Sequence, residues 1–258
     1  MKTICSTFKR LAIETWCRID LGRTVGFQLK EETITDLLLL ELKARHRNGI
    51  LIKEFNKREE GINGADWEWW LYGYGKWLAF RIQAKVLDTK TGNFTHLHYP
   101  PSNSSQSQND RLINDACKQN FHMRPLYCLY LNTDDRALFR KMTQRARVAE
   151  LFGCSLLSAF EVRRLRSSRQ KSLVSVESKM VPWHRLVCPT SASSRNMLVK
   201  IDRFAAEHFD QEDAENREFL LDNCPDYVKN AIDADTRVDI EPPNENLKGI
   251  VVFKLSDY

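Results

Sequence analysis

Gly64-Ala65-Asp66-Trp67-Glu68-Trp69-Trp70 is followed, after a glycine-rich turn, by Arg81-Ile82-Gln83-Ala84-Lys85. Both stretches alternate in character residue by residue, and Gly73-Tyr74-Gly75-Lys76 lies between them. That is the pattern of two strands, about 65–72 and 77–87, joined by a tight turn. A hairpin centred between Tyr74 and Gly75 sets Asp66 opposite Gln83, Glu68 opposite Arg81, Trp70 opposite Ala79 and Tyr72 opposite Trp77. Strand alternation then gathers Asp66, Glu68, Arg81, Gln83 and Lys85 on one face. Trp67, Trp69, Leu71, Leu78, Phe80, Ile82, Ala84 and Val86 make a continuous apolar face that should pack on helices. The register does two things at once: it collects the apolar residues and it pairs Glu68 with Arg81. A slip of one residue would scatter the polar set across both faces.

Outward from the hairpin, the spacing of Phe8, Leu11, Ala12, Thr15, Trp16 and Ile19 predicts a helix over residues 3–20. A second helix is expected over Glu31–Arg45, with Ile34, Leu37, Leu38 and Leu42 as its apolar stripe and Asn48-Gly49 as its stop. Gly49–Phe55 reads as a short strand, and 56–64 as a polar loop. After the hairpin, residues 100–108 form a polar loop, 109–119 a helix and 125–131 a buried strand. The order through residue 132 is helix, helix, strand, strand, strand, helix, strand. The chain closes with a strand at 250–255.

The 258 residues carry 39 Lys and Arg against 34 Asp and Glu, a net charge of +5. At 42% hydrophobic and 28% charged, the composition is that of a folded protein and excludes a disordered or fibrous chain. The longest aliphatic run, Leu37–Leu40, is far short of the roughly 20 residues of a membrane span. Lys9 and Arg10 interrupt any leader-like stretch, so a cytoplasmic protein without membrane attachment is expected. The seven cysteines are scattered and form no CxxC pair; they are expected to be reduced thiols. His96 and His98 are read as an ordinary exposed pair rather than a metal pair. The modest total hides two blocks. Residues 136–185 hold 12 Lys and Arg against three Glu, and residues 201–241 hold 13 Asp and Glu against four Lys and Arg. Either two helical faces attract each other, or the first block is a surface for phosphates.

A carboxylate, an amide oxygen and a lysine converging on a sheet face suit phosphodiester hydrolysis. Asp66 can hold a hard divalent cation, and the Gln83 amide oxygen and Ala84 carbonyl can add ligands, since Mg²⁺ and Mn²⁺ favour oxygen. Such a cation polarises phosphate and acidifies bound water, and Lys85 can orient that water. Asp66 alone would be an ordinary surface carboxylate. It is the set of Asp66, Gln83 and Lys85 in register that favours chemistry. Trp67 and Trp69 belong to the apolar face and are read as core, whereas Trp70 and Tyr72 are candidates for base stacking.

Gly-Ala-Asp opening one strand and Gln-Ala-Lys within the next resembles the PD-(D/E)XK nuclease superfamily. The element order is similar to its restriction-endonuclease-like core, over roughly residues 25–132. Gln83 stands where that family usually has an acidic residue, a variant similar to Mrr-like and Holliday-junction-related branches; it lowers the negative charge of the site. The resemblance implies a glutamate from the first core helix. Glu32 is preferred there, because Glu31 is in line with Ile34, Leu38 and Leu42 and points toward the core. Glu60 is a further candidate, and Gln108, Asn109 and Arg111 are candidates to position DNA.

The expectation is therefore an α/β (α+β) fold, with a central mixed sheet flanked by helices in a nuclease core over 1–135. A basic-then-acidic, mainly helical extension would occupy 136–258. The expected activity is Mg²⁺-dependent cleavage of DNA, with Asp66, Gln83, Lys85 and Glu32 as catalytic residues and Asp66, Gln83, Ala84 and Glu32 as metal ligands. The resemblance implies double-stranded DNA as substrate, a role in bacterial anti-phage defence and a regulatory protein partner, with self-association left open. The alternatives are a catalytically inactive nucleic-acid-binding module and a regulatory interaction subunit.

Overall fold

The computed structural model describes residues 3–55, 66–98, 106–117, 121–135, 138, 149–188, 196–210, 218–233 and 247–255, with Asp66 described by its backbone. The first seven elements follow the expected order. Helix α1 (Ile4–Thr24) is capped by Thr3, whose hydroxyl accepts from the Ser6 N–H, and it buries the face from Phe8 to Ile19. Helix α2 (Glu31–Arg45) buries Ile34, Leu38, Leu39 and Leu42. Then come β1 (Ile50–Glu54), β2 (Asp66–Gly73), β3 (Lys76–Val86), α3 (Gln108–Cys117) and β4 (Arg124–Tyr130). The hairpin has the expected register: Glu68 pairs with Arg81, Trp70 with Ala79 and Tyr72 with Trp77. Its two turn residues, Tyr74 and Gly75, have φ of 54° and 74°. Left-handed backbone at both positions matches the right-handed twist of the strands, and glycine takes it without a steric penalty.

Beyond residue 135 lie β5 (Cys154–Ser158), α4 (Ala159–Ser167), α5 (Leu173–Val176), β6 (Val181–Pro182), α6 (His184–Val187), α7 (Met197–Phe209), α8 (Asp226–Asp233) and β7 (Leu247–Lys254). One seven-stranded mixed sheet runs in the order β1-β7-β2-β3-β4-β5-β6. The C-terminal half is thus more than a helical extension, since it supplies three of these strands. Strand β7 enters between β1 and β2, antiparallel to the first and parallel to the second. Ile250, Val251 and Val252 are fully buried, and a strand apolar on both faces belongs inside a sheet rather than at its edge.

Helices cover both faces. Trp67, Trp69, Leu71, Phe80 and Ile82 pack with α1, α2, α6 and α7 in the largest core cluster, as the apolar face of the hairpin requires. On the other face, Trp70 and Ala79 pack with Val228 and Ala231 of α8 and with Ala116 of α3. A third cluster joins α3, α4 and α5 to the β4–β5 end.

The expectation of seven free thiols is corrected. Cys5 in the first turn of α1 and Cys188 just after α6 are joined by a disulfide, their Cα atoms 5.2 Å apart. Helix α1 packs on α6, so a separation of 183 residues in sequence becomes adjacency in space, which no local spacing could signal. Among the described residues no helix is long and apolar enough to cross a membrane.

Candidate active site

The polar face of the hairpin divides into a closed half and an open half. In the closed half Glu68 and Arg81 are both completely buried, with Glu68 Oε1 3.0 Å from Arg81 Nη1. Glu68 Oε2 accepts from the Tyr227 hydroxyl at 2.6 Å and from the Trp70 indole N–H at 3.0 Å. Asp115 of α3 lies 3.6 Å from Arg81 Nη2. Burial pushes the Glu68 carboxyl above its usual range, against the pull of Arg81 and the three hydrogen bonds. This pair is a structural tie to α8 and α3. Trp70 is part of it and completely buried, so its reading as a stacking residue is corrected. Tyr72 is 38% exposed and lies against Trp77, with ring centroids 4.6 Å apart.

The open half is a cleft of about 660 Å³ at the C-terminal end of β3. Gln83, Ala84 and Lys85 line it from β3, Glu31 and Glu32 from α2, and Gln108 from the first turn of α3. Gln28, just before α2, donates from Nε2 to the Leu87 carbonyl at 3.3 Å, which holds the start of α2 beside the end of β3. Lys85 Nζ lies 3.5 Å from Glu31 Oε2. Burial raises the Glu31 carboxyl above the ordinary glutamate value, and the Lys85 ammonium offsets part of that.

The sequence preferred Glu32 to Glu31, and the structure brings both to the cleft. Glu32 lines the cleft but is exposed, and Glu31 is the carboxylate that meets Lys85. Glu31 is in line with Ile34, Leu38 and Leu42, the core-facing stripe of α2. That stripe lies over β3, so pointing toward the core brings Glu31 to Lys85.

Two further residues line the cleft, Lys248, which no sequence pattern marked, and His96, which the sequence read as half of an ordinary exposed pair. Between Asp66 and Trp67 the pairing with β7 shifts, from Asp66–Leu247 to Trp67–Gly249. The bulged residue, Lys248, lines the cleft and pairs with Asp36 at 2.9 Å. Bulges commonly re-aim a side chain in this way. His96 also lines the cleft, on a loop held by its buried neighbours Phe94 and Leu97. Of the α3 candidates, Gln108 lines the cleft, whereas Asn109 is buried and donates to the Ala159 carbonyl, a tie between helices. Arg111 is half-buried and does not line the cleft. Glu60 lies outside the described residues. For Asp66 the backbone stands at the start of β2, next to the Trp67–Ile82 pair.

The donors here are oxygens: the Glu31 carboxylate, the Gln83 amide and the Ala84 carbonyl. That set fits a hard divalent cation, and an added positive charge would relieve a carboxylate that burial disfavours as an anion. Among the described residues no group of three or more His, Cys, Asp and Glu side chains is assembled for a metal.

A family model described as "Family of unknown function (DUF6615)" matches residues 4–258. No curated protein and no solved structure matches the chain.

Proposed function

We propose, for a chain that belongs to the DUF6615 family, metal-dependent hydrolysis of nucleic-acid phosphodiester bonds in the cleft at the end of β3. The observation that carries this reading is the meeting of Gln83, Lys85 and Glu31 in one cleft, on the strand that pairs with the one Asp66 opens. Glu31, Gln83, Ala84 and Asp66 are the proposed ligands of Mg²⁺ or Mn²⁺. When bound, the cation supplies a Lewis acid for the phosphoryl oxygen and an acidified water. Lys85 orients the attacking water and offsets charge developing on the phosphate. Gln83 donates its amide oxygen without a charge. One negative charge fewer lowers repulsion toward the anionic substrate, and it also leaves the cation less tightly held.

The resemblance to PD-(D/E)XK nucleases, including the QxK variant, supports DNA as substrate. It further suggests a cytoplasmic defence nuclease acting under the control of a protein partner. Incubating plasmid with the purified protein in Mg²⁺, in Mn²⁺ and in EDTA tests the reading. Nicking or linearisation in metal alone is the expected result. An intact plasmid under all conditions would favour a binding module or an interaction subunit instead.

A further inference from the structure

The segment after α4 borders the cleft. Phe94 N–H donates to the Lys171 carbonyl at 2.8 Å, and Leu173 N–H to the Gly92 carbonyl at 2.9 Å. His98 Nε2 bonds the Gln170 carbonyl at 2.7 Å. Residues 170–173 thus run as a strap along the loop whose Thr95 and His96 line the cleft. Within α4 itself, Arg166 bonds Ser107 and pairs with Asp110 at 2.9 Å, on either side of Gln108 at the cleft's other rim. Helix α4 and its strap therefore tie together two borders of the same opening.

Three cations stand on the strap and beside it. Arg169, Lys171 and, on the adjoining turn, Lys90 are exposed. Neither Arg169 nor Lys171 makes an ion pair with a described residue. Arg169 also sits in a costly conformation. Helix α4 closes with Arg169 N–H bonded to the Arg166 carbonyl at 3.0 Å and Gln170 N–H to the Leu165 carbonyl at 2.8 Å. In such an ending the residue past the cap takes left-handed backbone, where glycine is usual. Here an arginine holds φ at 55°. A long cation kept where glycine would be unstrained invites a reason in what the cation touches.

We infer that Lys90, Arg169 and Lys171 form a phosphate-binding ledge, along which the nucleic-acid backbone lies as it leaves the cleft. The ledge rests on the phosphodiesterase reading for its place in the reaction, but binding is measurable without turnover. Contacts to phosphate alone position the strand and carry no sequence preference. Each one lost lowers the salt dependence of binding by about one unit of log–log slope.

The test uses full-length protein and a labelled duplex of arbitrary sequence in EDTA, with affinity followed against salt. Arg169→Gly is the informative variant, because glycine suits the turn and folding stability should hold or rise. Arg169→Gly with Lys171→Ala should weaken binding roughly tenfold and lower the slope by about 2, equally for unrelated sequences. Unchanged affinity and slope would overturn the ledge, as would a wild type that does not bind the duplex. So would weakened binding accompanied by a lowered melting temperature in Arg169→Gly alone. If the slope falls as expected while no metal yields cleavage, the catalytic reading fails and the ledge stands.

Discussion

At the scale of single residues, strand spacing put Gln83 and Lys85 on one face, and the structure adds Glu31 as the carboxylate beside Lys85. Strand alternation has a period of two and leaves one choice of face, so the hairpin residues were legible. A helix wheel ranks Glu31 and Glu32 only by direction and says nothing of which strand lies beneath. The structure makes the choice testable. Glu31→Gln mimics the protonated carboxyl that burial favours. In metal-free protein at pH 7–8 it should therefore keep or raise the melting temperature, while cleavage measured in Mg²⁺ falls about 100-fold or more. Glu32→Gln should leave cleavage within about twofold, and the reverse ranking would refute the assignment. A second residue makes stability pH-dependent. Burial, with Lys9 and Arg185 nearby, lowers the His184 imidazole to about 4. The unfolded chain takes up that proton near pH 6.5. His184 thus costs the fold nothing above about 6.5, and stability falls as pH drops toward 4. His184→Gln should flatten the curve of melting temperature against pH across that window, and an unaltered curve would refute the cause.

At the scale of elements, the sheet centre was legible only in part. The hairpin declared its register through alternation and a turn at Tyr74-Gly75. Strand β7 declared a strand but not its place, because nothing local tells a chain end that it will enter between β1 and β2. The trace left in sequence is Gly249. A Cβ built there would stand 2.5 Å from the Lys53 carbonyl oxygen and 2.7 Å from the Trp67 ring. The missing side chain lets three strands close up, beside the bulge that turns Lys248 to the cleft. Gly249→Ala should lower stability by about 1–3 kcal/mol in denaturant unfolding, the usual penalty for overpacking. A variant as stable as the wild type would show that this close approach is not needed.

For the molecule as a whole, one sheet spans the two halves that composition suggested separating, and Cys5–Cys188 links α1 to α6 across them. The two charge blocks were visible in the sequence, but their partners were not. Asp202 and Asp210 of the acidic block flank Arg124 of β4, each at 2.7 Å, so part of that block serves the sheet. Part of the basic block, Arg166–Lys171, borders the cleft instead. The central proposal is that the Glu31–Gln83–Lys85 cleft cuts phosphodiesters. The most direct test is the rate of plasmid cleavage in Mg²⁺ by the wild type and by Lys85→Ala, with folding of both checked by circular dichroism. The expected result is metal-dependent cleavage by the wild type, abolished by EDTA and reduced about 100-fold or more in Lys85→Ala. Equal rates in the two proteins, or no cleavage by the wild type in Mg²⁺ or Mn²⁺, would contradict it.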